Sequence, residues 1–219
     1  MRVSLLAYTQ LNQDADELPE PLGQDCGPPL ERLVEFAGRV CYRSTSKLGN
    51  GSAFVQARVR EGHQSIIEHA SFTFLVEGIS RSCSHQLVRH RIASYSQESQ
   101  RYCEPGADDG LVTPPAVEAD PEAQAIWQQA VDGLAQAYGE LRERGVRKED
   151  ARFLLPNATS TRIVVTMNAR ALRHFLNMRL PGAAQWEIRG VGLEMLRLVY
   201  PLAPSLFSDL YETYVAGRV

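Results

Sequence analysis

Lysine is almost missing from this chain: of 23 lysine and arginine residues, only Lys47 and Lys148 are lysines. With a formal net charge of −3, this leaves no general attraction to nucleic acid or to an anionic membrane. The arginine bias reads first as a habit of the source genome. Arginine is nonetheless the better fork for phosphate and uracil-type edges, so each one is judged by its context. Long apolar runs are missing too, since none approaches the ~18 residues that a membrane-spanning helix needs. The apolar stretch after Met1 is too short for a secretory leader and has no cleavage-site pattern. It reads as an opening strand, and the expected compartment is cytoplasmic. Cysteine is sparse: Cys26, Cys41, Cys83 and Cys103 are scattered with no C-x-x-C pair. That pattern favours free thiols over a disulfide framework or a zinc site. No internal repeat or low-complexity segment is evident.

What remains suits one domain over residues 1–219, with 44% apolar residues to build a core. Pro28-Pro29 opens a helix whose apolar face is Leu30, Leu33, Val34, Ala37 and Cys41. A second helix covers Ala53 to Glu61 and stops at Gly62, a good C′ residue. Phe72, Phe74 and Val76 alternate, which predicts a half-buried strand. Ser80 can cap a helix running through His90 or Arg91, and Ile92 to Tyr102 reads as a loop or extended segment. Glu104 to Asp120, rich in Pro, Gly and Asp, reads as a linker or surface excursion. A long amphipathic helix follows, with Trp127, Val131, Leu134, Tyr138 and Leu141 on one stripe, and ends at Gly145. Such a stripe is core or subunit interface. A short helix stops at Pro156, Ile163 to Thr166 is a strand, and Asn168 caps a helix reaching Arg179. Beyond Pro181-Gly182 come helices over Ala184 to Tyr200 and from Ser205 onwards. Without a clean βαβ rhythm, the fold class is mixed α/β, a largely antiparallel sheet with packed helices.

The densest chemistry lies between Gln86 and Tyr102. On a helix, Gln86 shares a face with Arg89 and His90. In an extended segment Gln97, Ser99 and Arg101 point the same way, offering amide, hydroxyl and guanidinium to a phosphate and a pyrimidine edge. An Arg-His-Arg triplet alone would more often be a solvated helix end, but the polar run after it shifts the balance. Arg89-His90-Arg91, seven residues and then Ser99 resembles the R-H-R-x7-S signature of flavin-dependent thymidylate synthases. Gly62-His63-Gln64-Ser65-Ile66-Ile67-Glu68-His69 resembles the family's G-H-x-S-x-x-E-H segment. Ala151-Arg152-x-x-Leu155-Pro156, Asn168-Ala169-Arg170, Leu176-Asn177-Met178-Arg179 and Ala184-Gln185-Trp186-Glu187-Ile188 also match. The resemblance runs from about Val40 to about Ile188.

The resemblance implies reductive methylation of dUMP to dTMP, with methylenetetrahydrofolate as carbon donor. It implies FAD reduced by NADPH, and a homotetramer with FAD sites between subunits. It implies nucleotide contacts from Gln86, Arg89, Gln97, Glu98, Ser99, Gln100, Arg101, Arg152 and Arg179. Flavin contacts fall to His63, Ser65, Arg89, His90, Arg91, Gln97, Asn168, Arg170 and, where the family can carry asparagine, His174. Arg179 takes the catalytic role, stabilising negative charge pushed into the uracil ring without accepting a proton. Arg101 and Arg152 suit the nucleotide's phosphate. No metal is expected, because His63, Glu68 and His69 do not make H-E-x-x-H. Two other classes stay open at this point: a nucleic-acid module with the Arg-His-Arg helix in a groove, and a flavoprotein with another substrate.

Overall fold

The computed structural model describes residues 1–12, 18, 22, 27–103 and 110–218. Cys26 and residues 104–109 of the expected linker lie outside them. The strands are β1 (Arg2–Tyr8), β2 (Ser71–Ser80), β3 (Ser94–Gln97) and β4 (Ser160–Asn168), forming one four-stranded antiparallel sheet ordered β1-β2-β4-β3. The helices are α1 (Pro29–Cys41), α2 (Gly51–Arg60), α3 (Arg81–Leu87), α4 (Pro115–Glu118), α5 (Pro121–Glu143), α6 (Lys148–Ala151), α7 (Ala169–Arg179), α8 (Trp186–Val199) and α9 (Pro204–Tyr214). The mixed α/β expectation is met.

The chain groups into two compact units, the first comprising residues 1–2, 76–89 and 96–163 and the second residues 3–75, 90–95 and 164–219. In the second unit, Phe72 and Phe74 of β2 are fully buried, as the alternation predicts. Phe72 meets Phe207 of α9 edge-on, with centroids 5.9 Å apart. Leu172, Phe175 and Leu176 of α7 and Val191, Met195 and Leu196 of α8 are fully buried in the same unit. Each such side chain contributes about 1.5–3 kcal/mol on burial. Gly192 lets α8 approach α7's end, since a Cβ there would lie 3.2 Å from Leu180 Cδ2.

Helix ends follow local chemistry. The Ser80 hydroxyl accepts from Cys83 N at 3.0 Å, and Asn168 Oδ1 accepts from Ala171 N at 2.9 Å, so both expected caps are present. After α2, Gly62 takes φ +79° and the His63 N–H donates to Arg58 O, the 6→1 closure of a Schellman end. Leu180 closes α7 before Pro181, which has no N–H to continue it.

Some expectations need correction. The helix capped by Ser80 ends at Leu87, short of His90 and Arg91, because the last helical amide is Val88 N on Ser84 O. Arg89 and His90 therefore do not share a helix face with Gln86. The buried side of α1 is Leu30, Glu31, Val34, Glu35 and Gly38, while Cys41 is exposed. In the α5 stripe, read as core or subunit interface, Tyr138 is buried and Trp127, Val131, Leu134 and Leu141 are half-buried, which leaves both readings open. The stretch read as a linker or surface excursion holds, in its described part, α4 and the bridge of Leu111 to Thr159, which fits an excursion better than a bare linker.

Candidate active site

The first unit holds the polar run from Ser96 onwards. Gln97 ends β3, and its Nε2 donates to Ser84 Oγ at 2.8 Å and reaches Thr161 Oγ1 at 3.4 Å. The amide is thus fixed by two hydroxyls. Glu98 accepts from Arg162 Nε at 2.8 Å, and its carbonyl accepts from Arg81 at 3.0 Å. Here the chain leaves the extended conformation. Ser99 Oγ accepts from Arg101 N at 3.2 Å, and Ser99 O accepts from both Tyr102 N and Cys103 N. The expected row of Gln97, Ser99 and Arg101 on one strand is therefore broken. A serine turn bends the segment at Ser99, since its hydroxyl competes for the backbone.

Past that turn Arg101 is exposed and donates through Nε to Glu149 Oε2 at 2.6 Å. Arg147 pairs with the same carboxylate, and Arg152 Nε donates to Glu149 O at 3.2 Å. The Arg101 hydrogen bond, ahead of Arg147's charge, holds the Glu149 carboxyl below its usual value. An exposed pair of this kind is weak and salt-sensitive, so a phosphate could take over the guanidinium. Arg81, which the sequence did not single out, joins this cluster. Burial pushes its guanidinium down, Glu98 opposes that, and Arg152 adds repulsion. Gln86 and Gln100 are half-buried and Arg89 is exposed. An apolar cavity of about 290 Å³ in the same unit is lined by Val131, Leu134, Tyr138 and Leu155, with no cation in its wall. It does not suit an anionic nucleotide.

The second unit assembles the rest around α7. His63, Ser65, Arg91, Arg170 and His174 are exposed, while Asn168, His90 and Arg179 are half-buried. Arg170 pairs with Glu68 at 2.6 Å. Arg173 is buried and forked onto Asp209 of α9, at 2.8 and 2.6 Å. Arg179 differs: its Nε donates to His90 Nε2 at 3.0 Å, and no carboxylate pairs with it among the described residues. His90 meets Phe175 edge-on at 5.0 Å and His174 at 6.0 Å. Its carbonyl accepts from the Tyr95 hydroxyl at 2.8 Å. Burial pushes that phenol up to about 12, so it remains a donor.

His90 is pushed down from 6.5 to about 4, first by burial, then by the charge of Arg179 and by His174. Between these values the unfolded chain binds the proton and the folded chain does not. The stability tied to neutral His90 is therefore fully present above pH 6.5 and is lost as pH falls toward 4. Allowing for the screening of a half-exposed ring, the loss should be on the order of 1–2 kcal/mol. Urea unfolding followed from pH 7 to pH 4.5 should show this fall, and His90→Gln should flatten it. An unchanged slope in the variant would assign the fall to other groups.

The residues of the second unit fit a flavin. Asn168 spends its Oδ1 on capping α7 and keeps its amide N–H groups, next to a helix N-terminus whose dipole favours a diphosphate. Ile92, Met178 and Trp186 expose apolar surface of the kind a ring system would cover. Among the described residues, no group of three His, Cys, Asp or Glu side chains is arranged to hold a metal ion. No helix of the described residues is long and apolar enough to cross a membrane.

The family described as "Thymidylate synthase complementing protein" matches residues 25–205. The flavin-dependent thymidylate synthase of Geobacter sulfurreducens is 49% identical over 192 residues, covering 83% of this chain and 82% of that protein. The one from Mycobacteroides abscessus is 44% identical over 228 residues, 95% of this chain and 89% of that protein. Among solved structures, the UMP/dUMP methylase PolB of Streptomyces cacaoi, bound with 5-Br dUMP, superposes with a TM-score of 0.75. It is 25% identical and the match covers 97% of this chain and 95% of that chain. With its family matched over most of its length, the chain belongs to the flavin-dependent thymidylate synthases and is an enzyme.

Proposed function

We propose that this enzyme methylates dUMP to dTMP, taking the carbon from methylenetetrahydrofolate and using FAD that NADPH has reduced. When bound, the reduced flavin supplies the hydride that turns the transferred carbon into a methyl group. The observation that carries the reading is Arg179, a half-buried guanidinium held at Nε by a neutral ring and matched by no carboxylate among the described residues. Carbon 5 of uracil is a poor nucleophile until negative charge is drawn into the ring. A fixed, unneutralised guanidinium at the N3–O4 edge stabilises that charge without proton transfer.

Arg101 and Arg152 take the nucleotide phosphate once Glu149 is displaced. Gln86, Arg89, Gln97, Glu98, Ser99 and Gln100 orient the nucleotide, and Ser84 fixes the Gln97 amide from behind. His63, Ser65, Arg89, His90, Arg91, Gln97, Asn168, Arg170 and His174 hold the flavin by donors and ring faces. Residues 1–219 act as one domain, four copies assemble with FAD sites between subunits, and the enzyme works in the cytoplasm.

Purified protein should therefore be yellow, with flavin absorbance bands, and run near the mass of four chains by light scattering. It should form dTMP from dUMP when given methylenetetrahydrofolate and NADPH. A colourless protein, or a yellow one that leaves dUMP unchanged, would overturn the reading.

Ser99 is a binding group in this scheme. Its hydroxyl already accepts from Arg101 N, and no His or Lys hydrogen-bonds it as a base among the described residues. Ser99→Ala should weaken dUMP binding by about 1–2 kcal/mol, the range for a lost hydrogen bond, and leave measurable turnover. A covalent nucleotide adduct mapped to Ser99 would contradict it.

A further inference from the structure

The arginines of α7 are held in different ways. Arg170 is neutralised by Glu68 and Arg173 by Asp209. Arg179 is held by an imidazole through a single Nε–H···Nε2 bond of 3.0 Å. A guanidinium has donors only, so His90 Nε2 must present its lone pair, and the ring's proton sits on Nδ1. A carboxylate in this place would also fix the side chain, but it would cancel much of the field that an electron-rich uracil needs. An imidazole fixes the guanidinium and leaves its charge intact. One nitrogen is spent on the bond, and no other hydrogen bond or ion pair of Arg179 is present among the described residues, so both terminal amino groups stay open to a ligand.

The residue that does this is itself held at its ring and at its backbone. Phe175, fully buried, meets it edge-on at 5.0 Å, and Tyr95 holds its carbonyl at 2.8 Å. Arg179 stands on the last turn of α7, where a long side chain would otherwise sample many rotamers and lose that freedom on ordering. Accepting that bond in advance removes part of the cost before substrate arrives. The charged and titratable groups facing the ring are Arg179 and His174, with the Tyr95 hydroxyl at its carbonyl. Neither of the first two can compensate a proton on His90.

We propose that His90 is a positioning residue for Arg179: as a neutral Nδ1–H tautomer it orders the guanidinium for the pyrimidine without neutralising it. This rests on the role given to Arg179 above and deepens it. It is separate from any flavin contact His90 makes, because it acts through Arg179. The low proton affinity of His90 agrees, since a protonated ring could not accept the bond.

A double-mutant cycle in single turnover separates these roles, with flavin content matched and the flavin reduced chemically to bypass NADPH. At saturating dUMP and methylenetetrahydrofolate, His90→Ala should slow dTMP formation about 10- to 50-fold. His90→Gln, whose amide oxygen can accept from Arg179 Nε, should recover most of that loss. His90→Glu, which neutralises Arg179, should remain slow. In an Arg179→Ala background, His90→Ala should add less than about threefold, because there is nothing left to position. An independent readout is the ¹⁵N spectrum of the His90 ring, which should show a bare Nε2 and a protonated Nδ1 in the resting enzyme. If the two losses multiply, or if Nε2 carries the proton, His90 does not act through Arg179 and the proposal falls. If Arg179→Ala itself turns over at the parent rate, the catalytic reading of Arg179 fails first and takes this one with it.

Discussion

Arg179→Ala should form thymidylate about two to three decades more slowly than the parent, a loss of ~3–4 kcal/mol in transition-state stabilisation. The competing account is that Arg179 merely offsets the C-terminal dipole of α7, which is worth about 0.3–1 kcal/mol at an exposed position. The two differ by enough to measure. Arg179 is half-buried, held at 3.0 Å by a ring that brings no charge, and unpaired with any acid among the described residues. A dipole partner needs none of that support and would be served by any cation facing solvent. The variant should first be shown to keep its flavin and its oligomeric state. The flavin is then reduced chemically, and single-turnover dTMP formation is followed at saturating dUMP and methylenetetrahydrofolate. A rate within a few-fold of the parent would remove Arg179 from the chemistry and leave the dipole account standing.

Local rules carried much of the fold. Alternation placed Phe72 and Phe74 inward, Ser80 and Asn168 cap the helices expected of them, and Gly62 supplies the positive φ that ends α2. Each of these depends on residues no more than a few positions apart. The misreadings came where distant partners decide. The helix after Ser80 stops early, and His90 instead bonds Arg179, 89 positions away. No periodicity encodes such a pairing. Ser99 is the local exception: its own hydroxyl takes the backbone amide two residues on, which turns the chain and breaks the row of three polar side chains. Arg81 escaped notice because a helix-opening arginine has no signature until Glu98 and Arg152 are brought beside it. Side-chain chemistry alone pointed to the run from Gln86 to Arg101, while His63, Ser65, Arg152, Asn168, Arg170, His174 and Arg179 were legible only through the resemblance. Their spacing named a family, while the structure added which cations are already paired and which are not.

The largest stability effect should come from Glu31, on the face of α1 where an apolar stripe alone was expected. It is 1% exposed, and no cation bonds it among the described residues. Its Oε1 accepts from Ser205 N at 2.7 Å, and its Oε2 accepts from Ser205 Oγ at 2.8 Å and Ser52 Oγ at 3.0 Å. Ser205 lies in the first turn of α9, where Pro204 has no N–H and Ala203 offers no side-chain cap. A carboxylate from a distant helix thus caps α9, placing negative charge at the positive end of its dipole. The consequence reaches the active site, because α9 carries Asp209, the partner that locks Arg173 into α7. Arg173 also donates to Leu206 O from the buried side, so a loosened α9 would release the helix that presents Arg170 and Arg179. Glu31→Ala leaves a buried amide and two hydroxyls without their acceptor and opens a cavity, a combined cost of about 3–4 kcal/mol. Glu31→Gln keeps the volume and one carbonyl acceptor and should cost roughly half as much. Urea unfolding of the flavin-free protein at fixed concentration should rank parent, Gln and Ala in that order, with the m-value unchanged. If the Ala variant lies within about 1 kcal/mol of the parent, the carboxylate is not α9's cap in solution, since even a single buried hydrogen bond contributes that much.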